Sequence, residues 1–372
     1  MPATPTIARH RLPQVGALPP GPRNAITDVP GVRVGHCTLA DGERQTGVSV
    51  IVPHAGDPFQ DRVPAAAHVI NGFGKSVGLV QVEELGVLET PIALTNTFAV
   101  GALAQAQIRQ AIAANPETGR SLSTVNPLVF ECNDGYLNDI QALAIEDAHY
   151  RAACAAASAE VVEGSVGAGR GMSSFGLKGG IGTASRRVTL PAAGETAAAD
   201  YTVGAFVLSN FGRLPQITLC GDALGSTLAE RLKTFEAAPP ALTEAVEKGS
   251  IILIVATDAP LDARQLRRLA VRAGAGLART GSVFGHGSGD IALAFSTAYT
   301  LPHLPERPMP ALAMLHETRL DPLFYAAADA TEQAIIHALW HAEPVRGRDG
   351  HKRRTLREIL RRIPDEDTPC AS

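Results

Sequence analysis

Gly249-Ser250 is the dipeptide in this sequence whose residue types and position best suit chemistry. It follows a polar stretch, 237–248, that ends in Lys248, and it opens directly into 251–256, the longest purely aliphatic run in the chain. Glycine carries no Cβ, so its carbonyl is open to approach and its peptide tolerates a strained geometry. Attack by the Ser250 hydroxyl on that carbonyl would break the peptide bond and leave Ser250 as a new N-terminal residue. One residue would then hold both a nucleophile and an amine whose reference pKa, about 7.7–8.0, suits general-base work near neutral pH. On these two residues alone, an ordinary Gly-Ser turn is the commoner explanation.

Other motifs compete with it. Gly74-Lys75-Ser76-Val77-Gly78 matches G-x-S-x-G between an apolar run and an amphipathic stretch, as a nucleophile elbow would. No HGGG-type oxyanion loop accompanies it, so a glycine-rich turn is favoured. The same segment fails as a phosphate loop because Val69 stands where the motif needs glycine. Gly167-Ala168-Gly169-Arg170-Gly171 lacks dinucleotide-loop spacing and reads as a tight turn. His337 and His341 are four apart on an expected helix but lack the neighbouring Glu and further ligand of a zincin, so they read as surface or packing histidines and no metal is expected.

The elements that must position such groups are short strands alternating with amphipathic helices. Strands are expected at 48–52, 66–70, 91–95, 128–131, 203–209, 251–256 and 291–296, and helices at 76–85, 100–114, 146–159, 261–275 and 322–341. In the fourth helix Leu266, Leu269, Ala270 and Ala273 share one face, and Arg264, Arg267, Arg268 and Arg272 read as solvated, as does the basic stretch 352–362. Loops are expected at 115–123, 191–200 and 237–248.

With 372 residues, one large or two ordinary domains are open, and 45% apolar residues suffice for a sizeable core. The 33 basic and 37 acidic residues leave a net charge of −4, which argues against a nucleic-acid coat. Five cysteines (Cys37, Cys132, Cys154, Cys220 and Cys370) form no CxxC pair, as expected for free thiols in a reducing compartment. The proline-broken N-terminal stretch develops no apolar h-region, and 251–256 is too short to span a bilayer. A cytoplasmic protein with neither membrane nor nucleic-acid partner is expected.

Ordered blocks along the chain raise Gly249-Ser250 above an ordinary turn. They occupy 22–36, 95–97, 131–139, 163–172, 178–186, 210–212, 249–251, 256–260 and 287–290. Together they resemble the self-processing aminopeptidase family that includes L-aminopeptidase/D-esterase and β-peptidyl aminopeptidases (the DmpA/BapA-type, P1 family), and the match runs from about residue 20 to residue 343. The resemblance implies an α+β fold, a four-layer αββα sandwich similar to N-terminal-nucleophile hydrolases but with different connectivity. It further implies a single domain over 1–372 that cleaves itself into an α chain, 1–249, and a β chain, 250–372.

By the same resemblance Ser250 is the nucleophile, Ser288 and Asp290 support its freed amine, Asn210 contributes to the oxyanion hole, and Glu131 binds the substrate's amino group. Asn133 stands where the family motif has a tyrosine, with Tyr136 further on, which leaves the substrate range in question. The segment 72–76 also departs from relatives that place a Glu there. The expected activity is therefore a serine aminopeptidase or amidase without cofactor or metal, acting on small peptides or amino-acid amides and assembled as an oligomer of αβ pairs, four being the expected number. Two alternatives stay open: an α/β-hydrolase-type esterase using Ser76, and a catalytically silent oligomeric relative. An acyltransferase balance, preference for α- or β-residues, and preference for L- or D-forms are not legible.

Overall fold

The computed structural model describes residues 12–233 and 249–361, so the loop expected at 237–248 and Cys370 lie outside the described residues. The main strands are β1 (Arg33–Asp41), β2 (Arg44–Val52), β3 (Asp61–Gly72), β4 (Val87–Leu88), β5 (Ile92–Asn96), β6 (Val129–Cys132), β7 (Gly180–Leu190), β8 (Ala199–Asn210), β9 (Ser250–Thr257), β10 (Gly289–Ser296) and β11 (Leu301–Pro302). The long helices are α1 (Val100–Ala114), α2 (Asp147–Ala155), α3 (Ala263–Arg279) and α4 (Asp321–Trp340). One sheet has the order β1-β2-β5-β6; the other runs β11-β3-β10-β9-β8-β7, with β4 on β3.

Three apolar clusters separate four layers. Val34, Ile51, Leu94 and Phe130 of the smaller sheet meet Val63, Phe206, Ile252 and Leu293 of the larger. Leu253, Val255 and Val207 on the opposite face pack against α3 and α4 through Leu266, Leu269 and Ile335. Val48, Val50 and Val129 on the outer face of the smaller sheet pack against Leu103 of α1 and Tyr150 of α2. The result is an αββα sandwich. β9 shows how the sequence dictates it: alternate residues 251, 253, 255 and 252, 254, 256 face opposite layers, so both faces of the strand must be aliphatic.

All seven expected strands are present, most of them longer than expected, and β1, β4, β7 and β11 are additional. Helix α3 begins where Asp262 caps it, its carboxylate accepting the Gln265 N–H at 2.7 Å, and runs on to Arg279. Its arginines are not simply solvated. Arg264 and Arg268 both pair with Glu317, and the Arg268 and Arg272 guanidinium groups lie 5.1 and 4.0 Å from the Phe324 ring centre. The basic stretch after 351 is likewise not a free tail: Lys352–Arg353 pairs with Val345–Arg346, and Leu356, Ile359 and Leu360 join the core. No helix among the described residues is long and apolar enough to cross a membrane.

Candidate active site

Four strand ends converge at one edge of the larger sheet. Ser250, the first residue of β9, lies opposite Asn210 at the end of β8 and, on its other side, opposite Gly289 at the start of β10. Gly289 in turn lies opposite Gly72 at the end of β3. The Gly289 N–H donates to Ser250 Oγ at 3.1 Å, and Ser250 is 5% exposed. Two positions here admit only glycine. A Cβ on residue 249 would stand 2.3 Å from the Asn210 carbonyl oxygen, and one on residue 289 would stand 2.8 Å from the Phe73 carbonyl oxygen.

Ser288 and Asp290 flank Gly289 with the two-residue spacing that brings strand side chains to one face. The Ser288 hydroxyl donates to Asp290 Oδ1 at 2.5 Å, and both residues are buried. The turn before them is pinned by Asn71, whose amide donates to the carbonyls of Gly285, at 3.0 Å, and of Ser288. Hence hydroxyl, carboxylate and Ser250 are held by strand register rather than by a mobile loop.

Asn210 has its amide oriented from both ends: Oδ1 accepts the Ser173 N–H at 2.8 Å and Nδ2 donates to the Asn133 carbonyl at 3.0 Å. An amide nitrogen carries two hydrogens, so a second donor remains. Glu131, 2% exposed, lies in β6 one residue before its end; its Oε1 accepts the Lys75 N–H at 2.8 Å and its Oε2 accepts the Thr97 hydroxyl. Gly74 lies between this carboxylate and the Ser250 side: a Cβ there would lie 3.7 Å from both Glu131 Oε1 and Gly289 Cα. The departing segment 72–76 is thus the strap between the carboxylate and the Ser250 side.

Asn133 and Tyr136 stand differently. The exposed Asn133 side chain accepts the Gly135 N–H at 2.9 Å, and only its backbone carbonyl addresses Asn210. Tyr136, 38% exposed, stacks on His351 with ring centres 4.6 Å apart, and the Arg353 guanidinium lies 3.5 Å from its ring centre. Arg353 Nε donates to Ser173 Oγ at 3.3 Å, so Tyr136 is linked to Asn210 through Arg353 and Ser173. Ser76 has no catalytic partner: its Oγ is buried and makes no hydrogen bond among the described residues. Among the described residues no base is hydrogen-bonded to Ser76, so the elbow alternative gains no support.

Buried titratable groups beside the site escape the sequence reading. Burial, with the nearby Glu131 charge adding to it, pushes the Asp134 carboxyl up to about 7, although Asn138 donates to it at 3.0 Å. Burial holds the Lys178 ammonium well below its ordinary value; it donates to the carbonyls of Gly169, Met172 and Gly179 at 3.0, 2.9 and 2.8 Å. Burial, then the charges of Glu131 and Asp290, raises the Cys132 thiol well above its usual range. Asp134 and Lys178 sit in blocks 131–139 and 178–186, which were the available signal. Cys37, Cys132, Cys154 and Cys220 are free thiols. His337 and His341 do have a carboxylate beside them, but from Glu163, far away in sequence.

A serine heading a central strand of an αββα sandwich, with an amide and a hydroxyl–carboxylate pair on the flanking strand ends, is the arrangement expected of a hydrolase of the N-terminal-nucleophile kind. The chain belongs to peptidase family S58, whose family model matches residues 24–353. It is 39% identical over 347 residues to the β-peptidyl aminopeptidase BapA of Sphingosinicella microcystinivorans, covering 89% of this chain and 85% of that protein. The crystal structure of the PH0078 protein from Pyrococcus horikoshii is similar with a TM-score of 0.85 and 44% identity, covering 94% and 96% of the two chains. The L-aminopeptidase D-Ala-esterase/amidase of Ochrobactrum anthropi, described as a serine aminopeptidase with a variant of the Ntn hydrolase fold, has a TM-score of 0.81 and 34% identity over 94% and 95%. The protein is an enzyme of the peptidase class.

Proposed function

We propose that the chain is a self-processing serine aminopeptidase that matures at Gly249-Ser250 into an α chain, 1–249, and a β chain, 250–372. The observation that carries this reading is Ser250 Oγ at the head of β9, receiving the Gly289 N–H, with Gly249 pressed against the Asn210 carbonyl. In maturation the Ser250 hydroxyl adds to the Gly249 carbonyl and the C–N bond breaks. The proton passes to the departing nitrogen, and water then hydrolyses the resulting ester. The freed α-amine is the base that the uncut amide is not.

In turnover the amine takes the Ser250 proton, Oγ attacks the carbonyl of the substrate's first residue, the amine returns the proton to the leaving nitrogen, and water then hydrolyses the Oγ ester to release the residue and restore the hydroxyl. The spare Asn210 N–H and backbone N–H groups stabilise the oxyanion. Ser288 and Asp290 hold and orient the amine, and Asp290 favours its charged form after proton uptake. Glu131 pairs with the substrate's ammonium group, which limits attack to N-terminal residues. Small peptides and amides with N-terminal α- or β-residues are the substrate class, in keeping with the relatives' names. The αβ pairs assemble as an oligomer, four pairs being the expected number, in the cytoplasm.

Hydrolysis of β-alanyl and L-alanyl p-nitroanilides, with and without EDTA, tests the reading. Cleavage insensitive to the chelator, abolished by Ser250→Ala and absent on the N-acetylated anilides, is expected. Strong inhibition by EDTA or equal cleavage of the acetylated substrates would sink it.

A further inference from the structure

Glu163, His337 and His341 place two imidazoles and a carboxylate around one point, and each offers a ligand atom within 4.8 Å of the others. His337 and His341 are i, i+4 at the end of α4 and therefore share a helix face. His337 Nδ1 lies 3.2 Å from Glu163 Oε1, and His341 Nε2 lies 3.5 Å from Glu163 Oε2. The contacts run to different carboxylate oxygens, and the first is a hydrogen bond that an ion would replace; each length is close to the roughly 3.3–3.4 Å between two ligands of a tetrahedral ion bound at about 2.0–2.1 Å. The imidazole planes are inclined at 82° with ring centres 5.7 Å apart, so the rings meet edge to face rather than stack.

We propose that these three side chains form a binding site for a divalent transition metal of the zinc class, unconnected with hydrolysis. Two imidazoles and one carboxylate are a donor set suited to zinc and poor for magnesium or calcium, which prefer all-oxygen shells. The carboxylate is held in place from outside the set: the Thr183 N–H donates to Glu163 Oε1 at 2.7 Å. Such an outer partner fixes the orientation of a ligand. The site is accessible because the His341 side chain is 40% exposed, which leaves an open side for a water molecule as fourth ligand.

Its position gives the ion a mechanical task. Glu163 precedes Gly164, which bridges Ile181 of the edge strand β7, while the histidines belong to α4. A bound ion ties that edge to the last long helix, and so ties a residue before Gly249 to two residues after Ser250. Once the chain is cut there, as proposed above, the same ion clips the two products together; the site itself does not depend on the cut. Ser250 is out of reach: Thr183 aligns through Phe206 with Ile254, two strands across and four residues along from the nucleophile.

The test strips the full-length protein with EDTA, restores zinc, and measures bound metal by mass spectrometry together with Tm. Cobalt(II) replaces zinc for visible absorption. Wild type and Ser250→Ala are expected each to retain about one zinc per chain, gain about 3–5 °C at saturating metal, and give the intense spectrum of tetrahedral cobalt. His341→Ala, at a half-exposed helix end, and Glu163→Gln, which keeps an acceptor for Thr183, are expected to lose all three signals and keep the kcat of the metal-free enzyme. No retained zinc in stripped and reloaded wild type and Ser250→Ala overturns the site whether or not the chain is cut. Equal zinc binding by His341→Ala overturns it as well.

Discussion

On the proposed assignment, replacing Glu131 by Gln separates substrate recognition from chemistry. The carboxylate is 2% exposed and its two oxygens accept the Lys75 N–H and the Thr97 hydroxyl. A glutamine reproduces both contacts, since its oxygen accepts from Lys75 and its amide donates to Thr97, so the fold is retained and only the charge is lost. A hydrogen bond to a charged partner contributes about 1.5–3 kcal/mol, and removing one member of a desolvated ion pair costs about 3–5 kcal/mol. A loss of about 3–4 kcal/mol in transition-state binding lowers kcat/KM by about 10²–10³ on an aminoacyl p-nitroanilide. Self-cleavage has no such requirement, because the Gly249 carbonyl lies in an internal peptide with no free amino group beside it. The assay is therefore double: kcat/KM on β-alanyl and des-amino anilides, and the fraction cut in fresh protein. The expected result is a large loss on the amine-bearing substrate, none on its des-amino analogue, and complete processing. A loss smaller than about fivefold, or a protein that remains uncut, would refute the assignment.

Asn210→Ala removes the spare amide donor and is expected to lower kcat about 10²–10³-fold with little change in KM, read from steady-state kinetics on the processed enzyme. Gly249→Ala puts a Cβ 2.3 Å from the Asn210 carbonyl oxygen. Strain of about 1–3 kcal/mol at the strand end is expected to slow self-cleavage about 10–100-fold, followed by gel densitometry over time. Asp134, raised by burial from 3.8 to about 7, favours the protonated folded state, so its contribution to stability is complete below pH 4 and is lost as pH rises through 7. Asp134→Asn is expected to match wild type in Tm near pH 4 and exceed it increasingly up to pH 7.5, by about 2–4 kcal/mol of stability at the plateau.

Strand β9 is legible because an aliphatic run with no alternation can only be a strand or helix buried on both faces, and Gly-Ser punctuates its start. The expected αββα layering is what the three apolar clusters show. β7 is illegible for a physical reason. Its sequence, Gly180–Leu190, is small and polar, because α4 approaches so closely that a Cβ on residue 182 would lie 1.9 Å from the Ala334 carbonyl oxygen. β1 hides likewise behind polar residues on a half-exposed edge. At Asn133 the side-chain oxygen closes its own turn and the backbone carbonyl accepts the Asn210 amide, contacts that no motif in the sequence announces. Glu163 is 174 residues from His337, so no spacing rule could join them. Likewise the pinning of Ser288 by Asn71 arises only from the β3–β10 register.

The central claim is that Ser250 cuts its own chain and then serves as the nucleophile. Intact mass under denaturing conditions, on fresh wild type beside Ser250→Ala, tests it most directly. Chains of 249 and 123 residues, roughly 26 and 13 kDa, are expected in wild type, and one species near 38.8 kDa in the variant, which should also be inactive. A single full-length mass in fully active wild type would contradict the account.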